Sequence, residues 1–393
     1  MNENIMRTTI STYSKPRLLA TLRAGVAGIV CLGAIGLTSS CSDSTDAVDA
    51  DGSQLQLLPF VSAMADVTRS VTVPSGYDRY STLYPHPDAR YATIGVFMTP
   101  EKASAMGSFV YEGVVDDVDK WASNVYVTSG THYYLYGFMP REMAADASIT
   151  AYNSDYENGA VLTIDDIQLI TPADPCLVVG VQDVGTEDTN GTITPTDDGE
   201  VKLGTFSYTG KQRGANFVRL LLDHLYAGIH FKLLVNEGYS ELRSIHLRKF
   251  EFKCTAYSTA DCKVTVQANS TGNNPITDIT YSNLVSGPIS AEIFDGDALI
   301  PTSPADPLDV LGCFAPTLAD VSDNLSIVTT FDVYDKEGNL VREGATAENH
   351  LPISISHLTR GQVYTLTITV NPTYLYQLSD PDLDNPTIKI SNP

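Results

Sequence analysis

The chain has 393 residues and carries 24 Lys and Arg against 47 Asp and Glu, a formal charge of −23 at pH 7. A polyanion of this strength repels phosphate backbones, which argues against a nucleic-acid partner. Its 21 Tyr, with frequent Val and Thr between regularly spaced Gly, Pro, Asn and Asp, favour short strands joined by turns, so an all-β protein is expected.

In chain order, the first 40 residues have the layout of a secretory signal peptide. Arg7, Lys15, Arg17 and Arg23 make a basic leader, residues 24–37 are almost wholly apolar, and Thr38, Ser39 and Ser40 precede Cys41. The apolar run is shorter than the roughly 20 residues a helix needs to cross a bilayer, so removal is expected rather than retention. A cysteine directly after small residues at the cleavage point is the diacylglycerol acceptor of bacterial lipoproteins. Cys41 is therefore the expected lipidated N-terminus, and the outer membrane its expected partner. Thr38 stands where such signals usually carry leucine, and an ordinary signal peptide is the alternative. Without residues 1–40, which hold 4 basic groups and 1 acidic group, the mature chain keeps 20 and 46, a formal charge of −26. Residues 41–54 open with SDSTDAVDADG after the cysteine, acidic and free of aromatics, and read as a flexible tether. The segment resembles the acidic stretch that follows the lipidated cysteine in surface-exposed lipoproteins of the Bacteroidetes.

The remaining residues suffice for two domains, placed at 55–236 and 237–393, where an apolar stretch ends in NEGY. Period-2 alternation predicts a first strand with Val61, Ala63, Ala65 and Val67 on one face, closed by Arg69. Further strands are predicted over 92–99, 125–128, 132–139, 160–166 and 201–208. Residues 183–200 read as a polar loop, and 217–235 as an apolar stretch bent near Asp223–His224. Beyond 237, Ile245 and Leu247 share a face with Phe250, Phe252 and Cys254 only if one extra residue sits at Arg248–Lys249, which a β-bulge supplies. Strands at 327–334 and 340–342 form a hairpin around DKEG. A long strand carries Tyr364, Leu366, Ile368 and Val370, with a short one at 387–390.

Residues for chemistry are sparse. No nucleophile elbow, phosphate-binding loop, dinucleotide fingerprint or H-E-x-x-H motif occurs, so no catalytic residue, cofactor or metal ligand is assigned and the protein is expected not to be an enzyme. Four cysteines remain in the mature part beside Cys41: Cys176, Cys254, Cys262 and Cys313. Cys254 and Cys262 flank a short turn and can pair across a hairpin or stay as buried thiols. His224 and His230 read as hydrogen-bonded core histidines. The sets Asn153/Asp155/Glu157 and Asp380/Asp382/Asp384 have the alternate spacing of calcium loops but lack the closing Glu, and read better as solvated turns.

The lipoprotein cysteine, FVSAMADVTRS, ATIGVFMTP, VRLLLDHLYAGIHFKLLV and TRGQVYTLTITVNP together resemble the Bacteroidales fimbrillin and Mfa-like lipoproteins, the subunits of type V pili. The resemblance implies two transthyretin-like β-sandwich domains, mostly antiparallel. It also implies an arginine-specific protease that removes the N-terminal strand, here by cutting between Arg69 and Ser70, and other fimbrial subunits that donate a replacement strand. Arg79 and Arg90 are competing cut sites, and an N-terminal strand that stays in place is the simpler alternative. A surface glycan-binding lipoprotein would share the anchor and the sandwiches, and would show exposed aromatics to stack on sugars. Trp121 is the single Trp of the chain.

Overall fold

The computed structural model describes residues 52–54, 56–62, 65–66, 77–79, 93–99, 105–115, 118–123, 126–187, 193–195, 202–211, 216–240, 242–268, 274–351, 358–372 and 381–391. Cys41, Arg69 and Ser70 lie outside these residues, as do Ala63 and Val67 of the predicted first strand.

The protein is all-β. The N-terminal part supplies β1 (Gly52–Gln54), β2 (Gln56–Ser62), β3 (Ala65–Asp66) and β4 (Tyr77–Arg79). The single strand predicted from Val61 to Val67 is therefore divided: Val61 falls in β2, which begins at Gln56, and Ala65 in β3, which joins a different sheet. Next come β5 (Thr93–Thr99), β6 (Ala105–Val115), β7 (Val118–Ser123), β8 (Tyr126–Thr128) and β9 (His132–Met139), then β10 (Asp146–Ala151), β11 (Gly159–Gln168) and β12 (Cys176–Asp183). Short strands β13 (Gly185–Glu187) and β14 (Ile193–Pro195) pair within the predicted polar loop. The strand expected over 201–208 is confined to β15 (Ser207–Thr209). The apolar stretch divides into β16 (Phe217–His224) and β17 (Ala227–Val235), broken at Leu225–Tyr226, immediately after the expected bend.

The C-terminal part continues with β18 (Ser244–Cys254), β19 (Thr259–Gln267), β20 (Ile276–Ser282), β21 (Ile289–Leu299) and β22 (Leu308–Ala315). It ends with β23 (Leu325–Tyr334), β24 (Leu340–His350), β25 (Gln362–Pro372) and β26 (Pro381–Ser391). The register of β18 against both neighbours shifts between Leu247 and Lys249, where the apolar phase of the sequence slips by one residue. The last strand is longer than the predicted 387–390 and takes in Asp382 and Asp384, so these acids alternate along a strand rather than line a turn.

Two cores organise the strands. The first lies between a nine-stranded sheet, ordered β4-β2-β16-β12-β9-β5-β6-β7 with β15 on β9, and a four-stranded sheet, β10-β11-β19-β20. Its fully buried members include Leu135, Phe138, Leu162, Leu221 and Val264. The second lies between β22-β17-β25-β26, with β3 on β25, and β21-β18-β23-β24. There the Phe231 ring packs 4.8 Å from Phe250 and 5.5 Å from Phe252, centroid to centroid. Each such ring contributes about 1.5–3 kcal/mol by leaving water. The chain passes between the cores repeatedly: β17 belongs to the second, whereas β19 returns to the first. Pairing is antiparallel except for β2 on β16, β17 on β25 and β3 on β25.

Candidate functional site

The first candidate is the seat of the N-terminal strand. β2 runs parallel to β16, from Gln56 opposite Phe217 to Val61 opposite Leu222. Its other edge takes β4 antiparallel, with Phe60 opposite Arg79 and Ser62 opposite Tyr77. β3 then pairs parallel with β25, Ala65 opposite Gln362 and Asp66 opposite Val363. One segment before Arg69 therefore completes a sheet of each core. The strand beside it carries an apolar run, with Val218, Leu220, Leu221 and Leu222 of β16 all buried, and its polar residues Arg219, Asp223 and His224 are buried as well, as in a strand covered on both faces. Removing β2 would bare both the backbone groups and the apolar flanks of that strand.

At the other end of the chain β26 closes the same edge of β25 that β3 touches. Ser391 pairs with Thr365, two residues beyond the Asp66–Val363 pair. Asn349 of β24 donates from Nδ2 to the Asp384 carbonyl at 3.0 Å, fastening β26 to the opposite sheet.

The second candidate is a polar cluster where β16 leaves the first core and β17 enters the second. His224 ends β16 and is a register partner of Cys176 at the start of β12. Its Nδ1 lies 2.7 Å from Asp174 Oδ2 and 3.7 Å from Cys176 Sγ. The turn at Arg360–Gly361 caps the site. Gly361 adopts φ +71, a left-handed conformation that glycine tolerates, and its N–H donates to the Tyr226 carbonyl at 2.9 Å. This brings Arg360 Nη1 to 2.9 Å from both Asp223 Oδ2 and the His224 carbonyl. Asn274 also donates to Asp223 Oδ2. Burial pushes the Asp223 carboxyl up, but Arg360, Asn274 and His224 more than offset it, so the group lies below the usual carboxylate range.

This cluster is not a nucleophilic relay. A Cys–His–acid relay needs the thiol on one ring nitrogen and the acid on the other, with a thiol that ionises readily. Here both partners crowd Nδ1. Burial, and then the charges of Asp174 and Asp223, push the Cys176 thiol well above its ordinary value.

The remaining predicted site residues are dispersed. Cys254 belongs to the second core and Cys262 to the first, and both are free thiols, so the structure does not bring this pair together. His230 is not a core histidine: its side chain is about one-third exposed, with Nε2 3.2 Å from Asp309 Oδ1. Asn153, Asp155 and Glu157 form exposed turns in which the Asp155 carboxylate accepts from the Glu157 N–H at 2.9 Å, as a turn reading requires. A cavity of about 160 Å³ on the first sandwich is lined by His132, Tyr134, Tyr156, Glu157 and Phe206. Neither the cavity nor the Asp174–Cys176–His224 cluster was legible in the sequence. His224 lies 48 and 50 positions from Cys176 and Asp174, and the pairing of β12 with β16 brings it to them.

No family model matches the chain, and no curated protein does. Among solved structures, the chain is similar to two described as "putative cell adhesion protein", from Bacteroides fragilis and Bacteroides uniformis. The first has 11% identity, TM-score 0.42, and 86% of this chain and 97% of that one covered. The second has 10% identity, TM-score 0.36, and 87% and 99% covered. A fimbrial protein from Bacteroides vulgatus is similar at 10% identity and TM-score 0.32, with 86% and 99% covered. Likeness at these TM-scores carries no functional argument.

Proposed function

We propose that the protein is a structural or adhesive subunit of a cell-surface fimbria. In this reading it is exported as a precursor anchored in the outer membrane through Cys41, and each core is one sandwich domain. Cleavage between Arg69 and Ser70 by an arginine-specific protease frees the segment carrying β2 and β3, and a strand of another subunit takes its place.

The observation that carries the reading is the position of β2. It lies between β16 and β4, and Arg69 falls in the stretch joining β3 to β4. A cut there severs the covalent link between β2 and the rest of its sheet, leaving only pairing to hold it. The vacated edge of β16 offers an incoming strand both hydrogen bonds and apolar contact, the two ingredients of strand complementation. The test is to treat the purified precursor with an arginine-specific protease and follow heat-resistant, high-mass polymers. Wild type should polymerise, and Arg69→Ala should remain monomeric. Polymers that persist with Arg69, Arg79 and Arg90 all replaced would overturn the reading.

A glycan-binding surface protein is the second reading, favoured by the cavity in which His132 meets Tyr134 edge-on at 5.0 Å beside Tyr156 and Phe206. Such a protein would bind sugars without polymerising after cleavage.

A further inference from the structure

The buried cluster at the junction of the cores gathers donor atoms that neither strand exchange nor adhesion uses. Asp174 and Cys176 stand two residues apart in the extended chain entering β12, which places them on one side, and the register of β12 against β16 sets His224 directly opposite Cys176. Three different donor atoms result, Asp174 Oδ2, Cys176 Sγ and His224 Nδ1, each within 4.8 Å of the others. All three residues are buried.

We propose that Asp174, Cys176 and His224 form a binding site for one zinc ion, or a divalent transition metal of similar softness. The donor set selects the metal. Calcium and magnesium take oxygen ligands, whereas a thiolate with an imidazole and a carboxylate is a borderline-soft set that suits zinc. The spacing agrees. Ligands about 2.0–2.3 Å from a tetrahedral ion stand roughly 3.3–3.8 Å apart, and the Cys176–His224 separation is 3.7 Å. The His224–Asp174 separation, 2.7 Å, is that of a hydrogen bond, so these two groups must move apart by about 0.6 Å or more on loading. Among the described residues the group has three members, which leaves the fourth position to water.

Protons balance as follows. In the metal-free site Nδ1 carries the proton that its hydrogen bond to the Asp174 carboxylate requires; on loading Nδ1 gives up that proton to solvent, and the bound imidazole is neutral with its one proton on Nε2. The Cys176 thiol loses its proton to solvent, and binding therefore strengthens as pH rises. Because the ligands join the start of β12 to the end of β16, beside the chain's passage into β17, the metal would fasten the strand that forms the seat of β2 at its junction end.

The test uses the purified full chain with zinc alone, read by chelator competition, and cobalt alone, read by the thiolate-to-metal charge-transfer band. One ion per chain is expected, with a cobalt band that is lost in Cys176→Ser and kept in Cys254→Ala. Zinc affinity should fall in His224→Gln by more than the roughly 100-fold that loss of an outer-shell partner costs. Far-ultraviolet circular dichroism identifies any variant that fails to fold. Wild type that takes up no stoichiometric metal, or a cobalt band unchanged by Cys176→Ser, would overturn the proposal, and the wild-type measurement decides even where a variant does not fold.

Discussion

β2 and β26, near the two ends of the described chain, each pair with a strand that carries buried apolar residues, yet they are held differently. β2 is interior to its sheet, parallel to β16 on one side and antiparallel to β4 on the other. β26 is an edge strand, antiparallel to β25 alone, with Asn349 as an added tie. Loss of the first opens a slot with a partner waiting on each side. Loss of the second merely makes β25 the new edge. An interior strand whose departure leaves a slot is the better acceptor site, and an edge strand at a chain end is the better donor, because it can leave without dismantling a sheet.

That contrast breaks most clearly if the donor is removed. Deleting residues 374–393 should abolish polymers after proteolysis while leaving a folded monomer, as judged by gel mobility and circular dichroism. Polymers of normal length from the deletion variant would place the donor elsewhere in the chain.

A smaller effect separates the two seats. Leu221 of β16 and Ile368 of β25 are both buried almost completely, and truncation of either to alanine should cost about 2–5 kcal/mol in urea unfolding. Only Leu221→Ala, beneath the slot, should also slow polymer growth after cleavage. Equal slowing by Ile368→Ala would make the β25 edge, where β3 sits, an acceptor in its own right.

Strands with one face in a core were legible because they alternate. In β25 the buried Tyr364, Leu366, Ile368 and Val370 are interleaved with half-buried threonines, and the strand announces itself. The slip at Leu247–Lys249 was legible for the same reason, since a bulge is the cheapest way to restore phase. By contrast β12, whose residues 176–181 are all buried, has no polar face to alternate with, and periodicity passes over it. β3, only two residues long, carries too little pattern to reveal that the N-terminal segment crosses from one core to the other. The junction cluster was hidden by sequence distance: His224 looked like one more core histidine because nothing local points to Asp174 or Cys176.

The smallest expected effect concerns what fastens the β16 end of the slot. Arg360 reaches from the turn before β25 to Asp223 Oδ2 and the His224 carbonyl, both at 2.9 Å. Arg360→Ala removes a cation from beside a buried carboxylate and should cost about 1–3 kcal/mol at pH 7. The sign of its pH dependence follows from Asp223. In the folded wild type this carboxyl lies below its unfolded value, so its contribution is present above the unfolded pKa of about 3.9 and is lost as pH falls through the lower folded value. In the variant the offset by Arg360 is gone and burial weighs more on the same carboxyl, which then protonates at higher pH than in wild type and so loses part of the cost of its charge. The stability gap between wild type and Arg360→Ala should therefore narrow as pH falls from 7 towards 4, measured by urea midpoints at each pH. A gap that stays constant or widens over that interval would mean that Arg360 acts through the His224 carbonyl and packing rather than through the charge of Asp223.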